Sequence, residues 1–404
     1  MRYESLLSIY YKRPSEWEQE YNARFNNLFT KHLPINIHQY NLKRRHQAFY
    51  CYTEESALLQ DKIMSEFSGL QHILRSIPRV GIEQFLNSCL VSEIQSSNDI
   101  EGVYSTRKEI RTALLATPEE RLQMRLGGIV GKYTKIIYGT PLELVSCQDV
   151  RTLFDDLLSA EIGRSNPELL PDGRLFRASS VDIVTPTQKI THQGIYPEEK
   201  IIQYMDKALI ILHDQTIPYF NRVAIFHFLF GYIHPFYDGN GRMSRFITSC
   251  LLSDSLHPTV ALQLSVMLKK QRQKYYRLFL DTEADINKGD LTPFIIGTLK
   301  FIFAAIAYTK DILSNKLESY KQYQTKIRAL EIGDATTKAI YDVLLQAAIF
   351  SDIGATSNEI RLTIGKAENT VATRLKQIPP HQLKCVKTSR PYHYSLNLSA
   401  FNDD

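Results

Sequence analysis

The twelve residues HPFYDGNGRMSR, residues 234–245, combine a histidine, an acid, two glycines and two arginines in one short segment. Apolar runs flank this segment, FHFLFGYI before it and FITSCLL after it, so the pattern predicts a turn between two buried helices. A loop that is held by packed helices is a rigid platform for polar side chains.

The composition of this segment predicts an anion site. Gly239 and Gly241 lack a Cβ, so backbone N–H groups can approach an anion there, and the start of a helix favours negative charge. Arg242 and Arg245 lie three residues apart on one helix face, where two guanidinium groups suit phosphate oxygens. Two cations at a helix N-terminus are unfavourable by about 0.3–1 kcal/mol each unless an anion lies between them. The segment is therefore interpreted as a nucleotide-phosphate site.

Three further side chains of the segment have predicted roles. His234 is the candidate general base, because the ordinary pKa of histidine is about 6.5. Asp238 is the candidate Mg²⁺ ligand, since Mg²⁺ prefers one or two carboxylates together with substrate oxygens. Phe236 is the predicted apolar anchor of the loop. Taken singly, His234 and the Gly-Asn-Gly sequence are typical of a structural turn, and the two arginines are typical of a solvated helix face. Only the ordered combination favours a functional site.

The segment resembles the signature of the Fic domain proteins, His-x-Phe-x-Asp/Glu-Gly-Asn-Gly-Arg-x-x-Arg, at every fixed position. The resemblance implies a mainly α-helical Fic core that transfers AMP from ATP to a Ser, Thr or Tyr hydroxyl of a protein, with the chain itself among the candidate targets. It implies that His234 is catalytic and that Asp238 holds Mg²⁺. It further implies that five residues bind the phosphates of ATP: Gly239, Asn240, Gly241, Arg242 and Arg245.

A second motif lies upstream, where a predicted helix over about 92–102 ends in a carboxylate followed by glycine. Ser97 and Glu101 are four residues apart and so share a helix face, and Gly102 follows. This pattern resembles the inhibitory motif of Fic proteins, in which the glutamate pairs with the second signature arginine, here Arg245. The resemblance implies an autoinhibited enzyme in which Glu101 blocks productive placement of ATP. Removal of AMP from a modified protein, or transfer of another nucleotide, stays an alternative.

Residues 178–194 are rich in β-branched side chains around a proline and predict a hairpin. The hairpin stands where Fic proteins carry a flap that registers the target side chain, and we refer to residues 178–194 as the flap. Val181, Ile183 and Val184 are its candidate contact residues, whereas His192 is expected to face solvent. An ordinary surface hairpin is the alternative interpretation.

Residues 271–279 and 289–290 resemble the helix and turn that follow the signature in Fic proteins. Gln271 and Tyr276 are the candidates for an adenine pocket on this basis. Core packing would explain the neighbouring pair of tyrosines equally well.

The C-terminal segment 335–404 follows a predicted linker at 331–336 and has the pattern of three helices and a hairpin. The predicted elements are a helix over 338–350, a helix capped by Thr356 or Ser357, a helix over 367–377, and strands at 383–387 and 391–396 around a turn at 388–390. This order predicts a winged helix, whose third helix carries a polar and moderately basic face. DNA binding by a transcriptional regulator with a nucleotide-sensing Fic site is the hypothesis from a different class, and packing or target docking is its alternative.

With 404 residues, the chain is long enough for two or three domains. We predict a helical N-terminal extension over 1–84, a Fic core over 85–330 and the winged helix over 335–404. The formal net charge of +5 arises from mixed signs and does not require a nucleic-acid partner.

Cellular location is predicted from cysteine usage and hydropathy. Five scattered cysteines without a C-x-x-C motif indicate neither a disulfide framework nor a zinc site, which favours a reducing cytoplasm. The most apolar long run, residues 291–308, contains Pro293, Gly297 and Lys300 and is interpreted as a buried helix, so no membrane partner is expected. Assembly into a homo-oligomer is left open.

Overall fold

The computed structural model describes residues 3–184, 190–330, 332–387 and 391–402, and most of them are helical. The chain forms two compact units. The first contains residues 3–65 and Val91–Ala305, and the second contains Glu66–Leu90 and residues 306–402. The signature segment and the upstream motif at residues 97–102 both lie in the first unit. Residues 3–65 belong to this same unit, which differs from the separate N-terminal extension that the sequence predicts.

The α-helices before the signature are α1 (Leu6–Lys12), α2 (Trp17–Phe25), α3 (Glu54–Ser76), α4 (Arg79–Ile100), α5 (Arg107–Leu115), α6 (Pro118–Leu122), α7 (Gly127–Ile137), α8 (Cys147–Phe154), α9 (Ala160–Ser165), α10 (Glu198–His213) and α11 (Tyr219–Ile233). Those from the signature onward are α12 (Asn240–Ser255), α13 (Pro258–Ala261), α14 (Leu264–Lys270), α15 (Arg272–Glu283), α16 (Thr292–Arg328), α17 (Ala335–Phe350), α18 (Ser357–Ile364) and α19 (Glu368–Gln377). The prediction of a mainly helical fold is therefore confirmed.

The N-terminal segment contains a β-hairpin, so the prediction that residues 1–84 are helical needs correction. Strand β1 (Thr30–Ile37) pairs antiparallel with β2 (His46–Cys51). In β1, buried Leu33, Ile35 and Ile37 alternate with exposed residues. This period of two is the strand pattern, and it decides the local structure over the helical interpretation.

The flap forms the predicted hairpin. Strand β3 (Asp182–Val184) pairs antiparallel with β4 (Ile190–Gln193), and Ile183 lies opposite His192. The tip of the flap, residues 185–189, lies outside the described residues. Because β4 leads directly into the loop before α10, the flap is attached to the helical core at its C-terminal side.

Helices α11 and α12 form the centre of the first unit and flank the signature loop. Almost every residue of α11 is buried, including the run from Val223 to Phe230. On α12, buried polar residues such as Arg242, Arg245 and Thr248 accompany the apolar ones. A helix that buries polar side chains needs partners for them, because an unpaired buried polar group is costly.

The second unit ends in the elements predicted for the C-terminal segment. Helices α17, α18 and α19 precede β6 (Leu383–Val386) and β7 (His393–Leu396), and a short β5 (Ala355–Thr356) completes a three-stranded sheet of order β5-β7-β6. Thr356 begins α18 with a capping box to Glu359, and Gly365 ends it with a φ of +64°. The predicted turn at 388–390 and Glu331 of the predicted linker lie outside the described residues.

Among the described residues, one helix, α16, is long and apolar enough to cross a membrane by length and composition. Its most apolar window has a mean hydropathy of 1.5, and 67% of that window is buried inside the protein. Burial of this kind is typical of a core helix, in agreement with the interpretation of residues 291–308.

Candidate active site

The signature loop is fixed by a side chain that bonds back to the loop itself. Asn240 Oδ1 accepts from the backbone N–H of Phe236 at 3.0 Å, and Asn240 Nδ2 donates to the carbonyl of Phe236 at 2.8 Å. Phe236 is fully buried, and its ring stacks on Phe154 with a centroid distance of 4.0 Å and contacts Phe176 edge-on. Phe236 therefore lies where a loop anchor is needed, and Asn240 closes the loop.

Two loop residues adopt the left-handed backbone conformation. Gly239 has a φ of +83°, and a Cβ at this position would lie 2.5 Å from Leu158 Cδ1. His234 has a φ of +53° directly after the end of α11. Such a conformation is uncommon for a residue other than glycine and persists only where the surroundings enforce it.

His234 is held from both sides. Its backbone carbonyl accepts from Arg177 Nε at 2.9 Å, and its Nδ1 lies 3.3 Å from the carbonyl of Gly231. Because a carbonyl oxygen only accepts, Nδ1 carries the hydrogen in this contact and leaves Nε2 as the basic nitrogen. Burial, followed by the neighbouring His192, lowers the pKa of His234 below its ordinary value. The ring is therefore unprotonated near neutral pH, as a general base must be before the reaction.

Arg245 is paired with the upstream motif at residues 97–102. Its Nη1 lies 2.7 Å from Glu101 Oε1, its Nε donates to Ser97 Oγ at 3.0 Å, and its Nη2 donates to the carbonyl of Ser97 at 2.8 Å. Arg245 is fully buried, whereas the Glu101 side chain keeps 31% exposure. The motif and the signature arginine, separated by 144 residues, thus form one ion-paired cluster.

Glu101 also fills the space beside Gly241. A Cβ at position 241 would lie only 2.0 Å from Glu101 Oε1 and 3.0 Å from Arg245 Nη1. The absence of a side chain there allows a carboxylate to approach the start of α12. A protein anion therefore lies at the position where the sequence predicts phosphate.

The end of α4 presents Glu101 toward α12. Gly102 has a φ of +75° and places the chain in the turn that ends the helix, while Val103 N–H bonds to the carbonyl of Asn98 at 3.0 Å. The hydroxyl of Tyr276 donates to the carbonyl of Ile100, the last residue of α4, at 2.7 Å. Tyr276 therefore links the end of α4 to α15.

Arg242 pairs with a different acid. Its Nη1 donates to Glu161 Oε2 at 2.8 Å, its Nη2 lies 3.6 Å from Asp238 Oδ2, and only 1% of its side chain is exposed. Glu161 follows a π-helical turn at Asp155–Ser159 and also lies 3.6 Å from Arg125. The buried Nε of Arg242 has no hydrogen-bond partner among the described residues. Both arginines at the start of α12 are thus neutralised by carboxylates from distant elements, as the helix dipole requires.

A cavity of about 420 Å³ opens beside these residues. One end is polar, with Glu101, Gly241 and Arg245, and His234 and Asn240 also line the cavity. The other lining residues come from the flap, α11, α12 and α15: Ile183, Thr191, His192, Gly231, Ser244, Arg272, Tyr275, Tyr276, Phe279, Leu280 and Glu283, with Ile100 from α4. An anion-binding end joined to an aromatic wall suits a nucleotide.

The predicted flap and adenine residues differ in where they lie. Ile183 and Tyr276 line the cavity, and the carbonyl of Val181 accepts from Gly194 N–H at 3.1 Å at the base of the flap. Val184 pairs with Ile190 through its backbone. Gln271 is exposed at the junction of α14 and α15, where its Oε1 accepts from Lys274 at 3.4 Å, outside the cavity lining.

The carboxylate of Asp238 is suited to bind Mg²⁺. Its side chain is 41% exposed, and one oxygen accepts from Gly239 N–H at 2.6 Å. No group of three or more His, Cys, Asp or Glu residues that would enclose a metal ion occurs in the part of the chain that the structure describes. A single accessible carboxylate is compatible with Mg²⁺ that takes its remaining ligands from substrate and water.

Several residues of the site were not predicted from the sequence. His192 is 5% exposed and bonded to Glu283, so the expectation that it faces solvent is wrong. Glu161 and Arg177 lie outside the signature. Glu93 is fully buried behind Arg245, and burial raises its pKa to about 7. The β-branched pattern located the strand of His192, but only packing reveals which face of that strand is buried.

Comparisons with known proteins agree with this geometry. Residues 146–252 match the Fic/DOC family. Over 112 residues, 28% of this chain, the sequence is 37% identical to "Protein adenylyltransferase Fic" of Drosophila sechellia and 39% identical to the protein of that name from Drosophila virilis. The match spans only 20% of the length of each of these relatives.

The fold has a solved counterpart. A Fic family protein from Desulfovibrio desulfuricans G20 superposes with a TM-score of 0.51 at 18% identity, covering 86% of this chain and 97% of that one. At this identity the similarity concerns the fold alone. Residues 146–252, which contain the signature loop, therefore form a domain of the Fic/DOC family within this chain.

Proposed function

We propose that the chain is an autoinhibited protein adenylyltransferase that transfers AMP from ATP to a Ser, Thr or Tyr hydroxyl of a protein, with itself among the targets. The observation that carries this proposal is the contact of Glu101 with both Gly241 and Arg245. All fixed residues of the signature are present in the loop, and the carboxylate of Glu101 lies at the position predicted for a phosphate group. The names of the Drosophila relatives support the same activity.

In the proposed reaction, His234 Nε2 takes the proton of the target hydroxyl. The hydroxyl oxygen forms a bond to the α-phosphorus of ATP at the same time. The bond from the α-phosphorus to the bridging oxygen breaks, and pyrophosphate leaves. Backbone N–H groups at Gly239, Asn240 and Gly241, at the start of α12, would stabilise the charge that develops on the phosphate. Asp238 would hold Mg²⁺, which neutralises phosphate charge when it is bound.

Inhibition follows from competition between anions. While Arg245 is bonded to Glu101 and Ser97, its guanidinium is engaged by protein acceptors. A triphosphate that uses Arg245 must displace a carboxylate held at 2.7 Å. We infer that ATP binds to the latent form without productive alignment of its phosphates.

Intact mass spectrometry of the Glu101→Gly variant, incubated with each nucleoside triphosphate, tests the proposal. We expect covalent addition of one or more AMP groups with ATP and none in the Glu101→Gly/His234→Ala double variant. ATP labelled on the α-phosphate should leave label on the protein, and ATP labelled on the γ-phosphate should not. Retention of the γ label would overturn AMP transfer in favour of phosphate transfer.

Removal of AMP is a second candidate that the same contact supports, because the Glu101 carboxylate lies beside Gly241, at the proposed phosphate position, where it would activate a water. Incubation of AMP-modified Glu101→Gly protein with the wild-type chain separates the two activities. Release of free AMP that depends on Glu101 would show that the chain removes AMP. A modification that stays on the protein would exclude this activity.

A regulatory role in DNA binding is a candidate for the second unit. The sheet order β5-β7-β6 with α18 and α19 supports the predicted winged helix. On α19, Lys376, Asn369 and Thr373 are exposed, although Arg374 pairs with Asp334 at 2.5 Å. A mobility shift with genomic DNA fragments that weakens steeply with salt would support this role.

A further inference from the structure

The end of α11 is held by the flap and the segments beside it. Three consecutive carbonyl oxygens accept hydrogen bonds from this side: Tyr232 O from His192 Nε2 at 2.8 Å, Ile233 O from Ile195 N–H at 3.0 Å, and His234 O from Arg177 Nε at 2.9 Å. The last carbonyls of a helix have no partner within the helix, so these contacts complete its C-terminus. The flap and the helix that ends at His234 are therefore one connected structure.

His192 makes this connection together with Glu283. The carbonyl of Tyr232 only accepts, so His192 Nε2 must carry a hydrogen, and Nδ1 then faces Glu283 Oε2 at 2.8 Å. The contact at Nδ1 is a hydrogen bond between the imidazole ring and the Glu283 carboxyl group. His192 is 5% and Glu283 6% exposed, and both line the cavity. A buried polar pair that is fully hydrogen-bonded fixes the orientation of both side chains.

This pair lies beside the proposed base. The ring centroids of His192 and His234 are 6.3 Å apart. The left-handed backbone conformation of His234 persists only where neighbouring contacts enforce it. His192 makes one such contact, a hydrogen bond to the carbonyl of Tyr232 two residues earlier. A shift of about 1 Å in a reacting group can reduce turnover about 100-fold.

We propose that His192, oriented by Glu283, is a positioning residue that holds both the flap and the end of α11 in the geometry that His234 needs for proton transfer. The proposal rests on the proposed function, in which His234 is the base. It assigns to His192 and Glu283 no contact with the reacting atoms, and it predicts that turnover depends on them more than ATP binding does.

Kinetics in the Glu101→Gly background test this role through a split between kcat and KM. His192→Ala and Glu283→Ala should each lower kcat by about 10- to 100-fold, with KM for ATP changed by less than about threefold. Glu283→Gln should restore most of the turnover, because the glutamine amide can donate to Nδ1 of a neutral His192 that still donates from Nε2. Asp281→Ala is the matched control, since Asp281 is a carboxylate on the same helix as Glu283 that pairs with surface Arg277.

Amide hydrogen exchange provides a readout that does not depend on AMP transfer. The Ile195 N–H, bonded to the carbonyl of Ile233, should exchange faster in His192→Ala and Glu283→Ala and at the parent rate in Glu283→Gln. If Glu101→Gly transfers no AMP, the proposed function fails, and the exchange rates alone decide the positioning role. Unchanged kcat in His192→Ala, a raised KM with unchanged kcat, or unchanged Ile195 exchange would each overturn the proposal. If His192→Ala does not fold, the comparison of Glu283→Gln with Glu283→Ala decides it.

Discussion

The Glu101 Oε1 atom lies 2.7 Å from Arg245 Nη1 and occupies the space that a Cβ at position 241 would need. This single contact joins the end of α4 to the start of α12. It balances the positive charge of Arg245 at the helix N-terminus, as the Glu161 carboxylate balances that of Arg242. Under the proposed function, the same contact predicts how AMP transfer is controlled.

Removal of the Glu101 side chain should activate the enzyme. We expect Glu101→Gly to raise the rate of AMP transfer by on the order of 5- to 150-fold, the range of a coupling free energy of about 1–3 kcal/mol. Asp99→Asn is the matched control, because Asp99 lies on the same helix but pairs with surface Lys269. The measurement is incorporation of α-labelled ATP. Equal rates in wild type and Glu101→Gly would exclude inhibition by this residue.

Loss of the Tyr276 hydroxyl should weaken inhibition without removing the aromatic wall. Tyr276→Phe deletes the hydrogen bond to the carbonyl of Ile100, a contribution of about 1 kcal/mol, so basal transfer should rise roughly fivefold. KM for ATP in a Glu101→Gly background should not change, because the ring is retained. A large rise in that KM would instead show that the hydroxyl contacts the nucleotide.

The pH dependence of transfer reports on His234. Because the pKa of His234 is lowered, the ring stays neutral and basic at pH values below the ordinary histidine pKa. The rate of Glu101→Gly should therefore stay constant from pH 8 down to about 6.5 and fall only in more acidic solution. His234→Asn, which tolerates the left-handed backbone, should reduce transfer by about 100-fold or more. An acid limb with a midpoint above about 6.5 would contradict the assignment.

Acid should destabilise the protein through a second buried histidine. His227 bonds Thr248, Tyr275 and Ser244, and burial lowers its pKa to about 3. The unfolded chain takes up a proton near the ordinary pKa of about 6.5 while the folded chain does not, so stability is lost as the pH falls from about 6.5 to 3. We expect the free energy of unfolding, measured with urea, to fall between pH 7 and pH 5. The fall should be up to about 2 kcal/mol larger in the wild type than in His227→Gln. Equal losses would contradict this origin.

Sequence patterns predicted the features that arise within a short segment. They were less reliable for features that depend on contacts between distant segments. The signature loop has a dense pattern, and the helices on both sides of it, together with the turn at Gly102, followed from apolar periodicity and glycine placement. The β1–β2 hairpin was missed because its alternation is short and lies between helical segments. His192 was assigned to the wrong face of β4, since an isolated strand pattern does not say which side is covered by α11 and α15.

By itself, the sequence determined the chemistry that is available: a histidine, an acid, two glycines and two arginines at fixed spacing, and a glutamate placed at a helix end. Short-range rules of helix and turn formation suffice for that. Only the tertiary structure decided which charges meet, because Glu101 with Arg245, Glu161 with Arg242, and Glu283 with His192 are separated by 81 to 144 residues and meet through packing of helices and the flap. Burial then makes each pairing necessary, since an unpaired charge in the core is costly.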